Sequence, residues 1–442
     1  MLFQTPQFLF FLLLVLLLFY AVPFRVGRFV LLAASYTFYM FWNAKFVLLL
    51  LLLTVVDFCA ALLMPRKRRT LLAVGVSANL AFLGFFKYYN FFAASLAQLL
   101  HIPEQNVLLQ IVLPVGISFH TFQSISYLVD VYRGEQEPVR NFVDYALFIA
   151  FFPQLVAGPI VRARYFFRDL YHWQPPSPDA FSRGCFLILL GMLKKVVLAD
   201  RFGAVANSYF GDIAAHPGAL AAWSGALAFA FQIFFDFSAY TDIAIGGAAL
   251  FGFHFPENFN DPYFATSITD FWRRWHMSLS SWLRDYLYIP LGGNRHGDWA
   301  TYRNIMITML LGGLWHGASW KFMVWGGYQG MLLSLERVSR IRAGIFTFGL
   351  VCVGWVFFRA DTMADASVVL SQMASFHAGT WLLGPVHLLL IACAVIAARW
   401  PMLDRIAQSP SWARVAVIVC GLITLELFAA GEGTVPFIYF QF

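Results

Sequence analysis

The sequence predicts an all-α polytopic membrane protein of roughly ten to twelve membrane segments, and three observations carry that prediction. Only 12% of the 442 residues are charged, half the roughly one quarter usual in soluble domains. The first 24 residues carry no charge, and similar apolar runs recur to the C-terminus. Val47 to Leu53 is seven consecutive leucines or valines, whereas an outer-membrane barrel needs alternating residues. These numbers exclude a soluble globular enzyme and a disordered chain. The net charge of +7 is not massed on a soluble face, so no nucleic-acid partner is expected. It fits basic cytoplasmic loops instead.

Apolar segments fall at 7–23, 29–42, 46–64, 71–92, 107–132, 142–160, 180–199, 219–253, 303–335, 341–358, 380–398 and 411–430. No long hydrophilic stretch divides them, so 1–442 reads as a single transmembrane domain. The first apolar run lacks a basic leader, and its first positive charges, Arg25 and Arg28, follow it. That order predicts an N-terminus outside, with the basic cluster at Arg66, Lys67, Arg68 and Arg69 cytoplasmic. The segment 142–160 lies between two basic loops and ends in Phe151-Phe152-Pro153 and Gly158-Pro159. A re-entrant segment resolves that conflict, and broken backbone in a membrane has to line a cavity or be buried in protein. The overlong 219–253, carrying Asp236 and Asp242, points the same way, to a hollow in the bundle. The five cysteines are scattered in apolar segments and read as small core residues. Neither a Cys-x-x-Cys nor histidines three or four apart are present, so no metal site is expected.

The most polar central block is 256–303, read as an interfacial amphipathic block. After a turn-rich Pro256-Glu257-Asn258-Phe259-Asn260-Asp261-Pro262, Ser267 or Thr269 is placed to cap a helix with Asp270 in its first turn. At about 100° per residue, Trp272, Trp275, Leu279, Trp282 and Tyr286 share one face, and Asp270, Arg273, Arg274, Ser281 and Arg284 the other. His276 falls at the edge between them. Such a helix lies at a membrane interface, its aromatic side towards protein or membrane lipid.

His316 is the sharpest single residue. It lies in Leu311-Gly312-Gly313-Leu314-Trp315-His316-Gly317-Ala318, and no acid, lysine or arginine occurs from Ile305 to Trp320. Intramembrane ionisable groups are costly and face cavities, so they are functional candidates, the alternative being a histidine bonded to a neighbouring helix. A neutral buried imidazole is suited to take a proton from an alcohol attacking an acyl group. His276 is a candidate second partner, although spacing alone does not join the two. Asp236 and Tyr240, one turn apart, could line the cavity together with Asp270 or pair with arginines across helices, and structural pairing is favoured because the chemistry needs no carboxylate nucleophile. Lys194, Lys195, Arg273 and Arg274 could hold phosphates of a nucleotide-like donor, or set topology and touch lipid headgroups. His120 reads as structural.

Several motifs together resemble the bacterial membrane-bound O-acyltransferase family, closest to its alginate O-acetylation branch. They are Asp270-Phe271-Trp272-Arg273-Arg274-Trp275-His276-Met277-Ser278-Leu279-Ser280, Tyr288-Ile289-Pro290-Leu291-Gly292-Gly293-Asn294-Arg295 and Leu311-Gly312-Gly313-Leu314-Trp315-His316-Gly317-Ala318, with Phe152-Pro153-Gln154-Leu155-Val156-Ala157-Gly158-Pro159 upstream and Phe437-Ile438-Tyr439-Phe440-Gln441-Phe442 at the end. The resemblance implies a helical bundle with re-entrant segments around a central funnel, in the cytoplasmic (inner) membrane of a bacterium. It implies acetyl transfer from cytoplasmic acetyl-CoA to a hydroxyl of an extracytoplasmic polysaccharide, helped by a periplasmic or surface acetyltransferase. His316 and His276 map to the family's marked histidines, with Trp275 and Trp315 beside them as substrate or donor contacts. Peptidoglycan and cellulose are alternative acceptors. From other classes, a transporter predicts charges along a path and often repeats, and a non-catalytic scaffold predicts dispensable histidines.

Overall fold

The computed structural model describes residues 3–65, 67–155, 158–339, 342–398, 409, 411–429 and 437. Arg66, Val156, Ala157 and the closing motif apart from Phe437 lie outside the described residues. Every regular element among those described is helical. Three helical stretches are long and apolar enough to cross a membrane, Lys45–Leu63, Arg68–Leu100 and Ala219–Leu250, so the expected ten to twelve segments are met by length and composition in three places only. The chain groups into two compact units, Met1–Ala180 with Gly247–Pro256, and Phe181–Gly246 with Glu257–Phe442.

The first unit contains α1 (Pro6–Tyr20), α2 (Phe24–Met40), α3 (Lys45–Leu63), α4 (Arg68–Leu83) and α5 (Tyr89–Leu100), the last two joined by a π-helical turn, Gly84–Tyr88. Then follow α6 (Ile117–Arg133), α7 (Phe142–Ala150), α8 (Phe152–Leu155) and α9 (Ala163–Tyr171). The predicted segment 107–132 is helical only from Ile117, because Gly116 takes a left-handed turn (φ 73°) that no extension of the helix accommodates. The segment 142–160 is two helices of 9 and 4 residues, each too short to cross a bilayer. Helix α6 is buried over most of its length although it carries Ser118, His120, Gln123 and Asp130. Its neighbours supply polar contacts, with Lys87 Nζ 3.1 Å from Ser118 Oγ, while Asn79 Nδ2 donates to Asp57 Oδ1 at 2.6 Å between α4 and α3.

The second unit contains the rest: α10 (Pro178–Leu193), a π-helical turn at Lys194–Ala199, α11 (Asp200–Gly211) and α12 (Ala219–Leu250), whose last turn passes into the first unit. Beyond it lie α13 (Ile268–Arg274), α14 (Met277–Leu283), α15 (Gly297–His316), α16 (Trp320–Ser339), α17 (Gly344–Arg359), α18 (Met363–Met373), α19 (Pro385–Ala398) and α20 (Ser411–Ala429). The overlong apolar segment at 219–253 is one unbroken 32-residue helix, about 48 Å long at 1.5 Å per residue.

The predicted span 303–335 is two helices, α15 and α16, folded back on each other at Gly317. Their backbones nearly touch. A Cβ on Gly313 would run into the carbonyl oxygen of Phe322, and one on Gly326 into that of Met309. The open end of this hairpin is tied by Arg337 to Asp298 at 3.1 Å, and its closed end carries His316.

Candidate functional site

The predicted amphipathic helix through the Trp275-His276 motif is broken, and the break builds the site. Ser267 caps α13 as expected, its Oγ accepting from the Asp270 N–H at 3.2 Å. The helix stops at Arg274, and His276 stands in the left-handed region (φ 43°, ψ 54°) before α14 begins. A histidine there costs about 1–3 kcal/mol, and the compensating contacts come from Asn258. The Asn258 carbonyl accepts from the Met277 N–H at 2.9 Å, and the Asn260 N–H donates to the Arg274 carbonyl at 2.9 Å. The Asn258 side chain receives the Ser278 N–H at 3.1 Å and the Ser278 hydroxyl at 2.9 Å. Asn258 thus satisfies the first two exposed amides of α14 from outside that helix.

That arrangement fixes the protonation pattern of His276. The atom accepting the Ser278 backbone N–H has to be the amide oxygen, and His276 Nδ1 lies 3.1 Å from that same oxygen. Nδ1 is therefore the protonated nitrogen, and Nε2 carries the lone pair. Nε2 is buried with no hydrogen-bond partner among the described residues. The imidazole is fully buried, with its ring edge-on to Phe237 at 4.7 Å. Burial pushes its pKa down to about 3, so the ring is neutral near pH 7.

His316 ends α15 and is 5% exposed. Its ring meets Trp325 edge-on at 5.1 Å and Phe358 at 5.3 Å. Trp315 joins the two histidines, its ring centroid lying 6.1 Å from His276 and 5.0 Å from His316. The imidazoles are therefore no more than about 11 Å apart. Trp275 is buried beneath α13, 4.9 Å from Trp355, which stacks on Trp325 at 6.0 Å. Trp272 reaches Trp325 at 5.8 Å. The indole N–H groups of Trp272 and Trp325 have no acceptor among the described residues. These rings form a buried aromatic cluster with one lone-pair acceptor and two N–H donors that have no partner among the described residues, and such buried polar atoms are uncommon in a folded protein.

The charged candidates separate into two sets. Lys195 is 2% exposed at its side chain and sits 2.8 Å from Asp200 and 3.0 Å from Asp236. Lys194 pairs with Asp242 at 2.6 Å. Asp236 is paired, but with Lys195 where an arginine was expected. Tyr240 is buried and stacks on Phe437 at 3.9 Å. In the second set, Arg274 Nε binds Asp270 at 2.9 Å. Burial favours the neutral form of Asp270, but the Arg274 hydrogen bond, the Thr266 N–H and the nearby Arg274 and Arg273 charges outweigh it, holding that carboxyl below its usual range. Arg273 has no ion pair among the described residues and lines a pocket of about 670 Å³ together with Glu336, Arg337 and Arg342.

Sequence reasoning picked out both histidines but missed Asn258, Trp325, Phe358 and the three α16-side residues of that pocket. A single amide in a turn-rich stretch carries no periodic signal, and Trp325 and Phe358 look like ordinary apolar helix positions. Among the described residues no group of three or more His, Cys, Asp or Glu side chains is arranged to hold a metal.

Residues 138–349 match the profile of "MBOAT, membrane-bound O-acyltransferase family", a stretch that includes both histidines. The chain is 45% identical over 408 residues to "Probable alginate O-acetylase AlgI" of Azotobacter vinelandii, covering 88% of this chain and 80% of the relative. It is 44% identical to the protein of the same name in Pseudomonas aeruginosa, covering 88% and 77%. The "Peptidoglycan O-acetyltransferase" of Helicobacter pylori is 38% identical over 427 residues, covering 85% and 80%.

Proposed function

The chain belongs to the membrane-bound O-acyltransferase family and is a membrane O-acyltransferase, and from that premise we propose that it acetylates hydroxyls of an alginate-type extracytoplasmic polysaccharide, using cytoplasmic acetyl-CoA. The observation that carries the reading is the pair of buried histidines held against one indole, His276 with its lone pair on Nε2. A sugar acceptor presents neighbouring hydroxyls. His316 takes the proton of the attacking hydroxyl as its oxygen bonds to the thioester carbonyl carbon. His276, with Nδ1–H committed to Asn258, accepts a hydrogen bond from an adjacent hydroxyl and so orients the nucleophile. The N–H groups of Trp272 and Trp325 are suited to the carbonyl oxygen as it becomes negative. Collapse breaks the carbon–sulfur bond, and the thiolate leaves with the proton His316 had taken. A periplasmic or surface acetyltransferase completes delivery, and the enzyme resides in the bacterial inner membrane with re-entrant segments around a funnel.

His316→Ala, purified folded in nanodiscs, is expected to lose about 10²–10⁴ in kcat for labelled acetyl transfer from acetyl-CoA to an oligosaccharide. Near wild-type turnover by that variant would remove His316 from the chemistry. Peptidoglycan is the second acceptor reading, favoured by the H. pylori relative, and parallel assays with both polymers separate the two.

A further inference from the structure

The α15–α16 hairpin carries a second hollow that the histidine site does not use. Met306 and Ile307 of α15 and Met331, Leu335 and Val338 of α16 wall a groove of about 490 Å³. Along α16 it extends from Met331 to Val338, about 10 Å at 1.5 Å per residue. Ser334 adds no open polarity there, because its hydroxyl donates to the Gly330 carbonyl of its own helix at 2.8 Å. Met331, Leu335 and Val338 are exposed, so the groove opens outward as an apolar surface that needs a cover. One end of it differs in chemistry. Trp299, which is 84% exposed, Tyr302 and Arg303 stand on the first two turns of α15, beside the Arg337–Asp298 ion pair. Tryptophan and tyrosine collect at the level of lipid headgroups. The six residues from Arg337 to Arg342 include three arginines, the excess of cations that marks a cytoplasmic edge.

Arg303 is the charge at that end. Its Nε and Nη2 lie 3.3 and 3.1 Å from Asn304 Oδ1, and Asn304 Nδ2 donates to the Gly293 carbonyl at 3.0 Å. One edge of the guanidinium is therefore pinned to a neutral amide that is itself fixed. No carboxylate pairs with Arg303 among the described residues, and its Nη1 makes no hydrogen bond there. An apolar channel along a helix pair, ending at a held cation between an indole and a phenol, has the form of an acyl chain below an anionic headgroup. Basic pockets between helices at the cytoplasmic side bind anionic lipids in this way. Charge complementarity decides among occupants, since a neutral lipid leaves Arg303 uncompensated and a second copy of the chain has to bring an acid to it. We propose that the α15–α16 groove binds one anionic phospholipid, its phosphate on Arg303 and one acyl chain along Met306, Met331 and Leu335. The groove is walled by both arms of the hairpin whose closed end carries His316, so the bound lipid braces that hairpin at its open end.

The test places the whole chain in nanodiscs of equimolar dioleoyl phosphatidylglycerol and dioleoyl phosphatidylcholine and releases it for native mass spectrometry. Wild type is expected to retain one phospholipid, with phosphatidylglycerol favoured at least about fivefold, the worth of one partly exposed charged contact. Arg303→Gln keeps an amide that can bond Asn304 and should bring that preference to within about twofold of unity. Ser334→Phe fills the groove from a position whose hydroxyl serves only its own helix, and should release both lipids. Because a ligand of the folded state raises Tm, wild type should melt higher in phosphatidylglycerol than in phosphatidylcholine nanodiscs, and Arg303→Gln equally in both. Equal retention of the two lipids by wild type overturns the proposal, as does an unchanged preference in Arg303→Gln or retained phosphatidylglycerol in Ser334→Phe. A lipid-free dimer of wild type that dissociates in Ser334→Phe assigns the groove to a second copy and overturns it too. The wild-type ratio and the Ser334→Phe result decide the matter even where Arg303→Gln does not fold.

Discussion

Two buried polar clusters in the same unit contrast sharply. Around the π-helical turn, Lys195 faces Asp200 and Asp236, and Lys194 faces Asp242, each cation matched by carboxylate within 3.0 Å. Around Trp315, His276 keeps an open Nε2, and Trp272 and Trp325 keep N–H groups without acceptors. The first cluster carries full charges and closes on itself. The second is neutral and leaves valences open at its centre. Burying a charge demands a partner, and a matched pair does not need a substrate. Unpartnered neutral polar atoms in a buried aromatic cluster are the ones a ligand can complete. By that criterion the lysine pairs read as scaffold and the histidines fit the proposed chemistry, although the sequence offers both as candidates.

Substitutions at Lys195, Asn258 and Trp325 test that division, beginning with the largest effect. Lys195→Met leaves Asp200 and Asp236 buried without their cation and is expected to cost about 3–5 kcal/mol, read as a lower Tm in detergent and poor recovery from membranes. Adding Asp236→Leu should restore part of that Tm. An unchanged Tm with a raised KM for acetyl-CoA would move Lys195 to the functional side and break the contrast.

Asn258→Leu removes the acceptor that orients His276 and should lower kcat/KM by about tenfold, the value of one buried hydrogen bond to a reacting partner. Asn258→Asp sharpens the test through its pH dependence. With its pKa pushed down to about 3, wild-type His276 stays neutral throughout the range from pH 5 to pH 8. A carboxylate at Nδ1 favours the imidazolium and raises that pKa. Protonated Nε2 can no longer accept, so the acid limb of kcat/KM should move to higher pH in the Asp variant and not in the Leu variant. Superimposable profile shapes for all three proteins would reduce Asn258 to a helix cap. The smallest expected effect is that of Trp325→Phe, which keeps the ring contact to His316 and removes only the N–H. A loss of about fivefold in kcat with KM unchanged identifies that donor with the developing oxyanion, whereas a loss confined to KM assigns it to ground-state binding.

Much of the architecture is legible in the sequence because apolar helices announce themselves by length: α1, α3, α12 and α17 lie within a few residues of the predicted segments. The two histidines are legible because they stand in motifs, and His316 also because no other charge surrounds it. What escaped is set by contacts distant in sequence. The break at His276 is hidden because the 3.6-residue pattern of Trp272, Trp275, Leu279 and Trp282 runs straight through it, while the force that breaks the helix comes from Asn258. The Lys195–Asp236 pair spans two apolar segments that give no hint of facing each other. The pocket arginines come from α13, α16 and the connection after α16, and the Thr269–Glu336 bond and Trp272–Trp325 contact that bring α13 and α16 together leave no trace in the sequence.

The close backbone contact of α15 and α16 also bears on how the protein is made. Small residues that let helices approach this closely favour association within lipid, where apolar burial gives no net drive. Two antiparallel helices joined by a turn of three residues form one local unit of the chain. His316 and Trp325 meet within this hairpin itself. Gly313 and Gly326 act in assembly as much as in the finished fold, and a methyl group at either would be felt first as a defect in biogenesis.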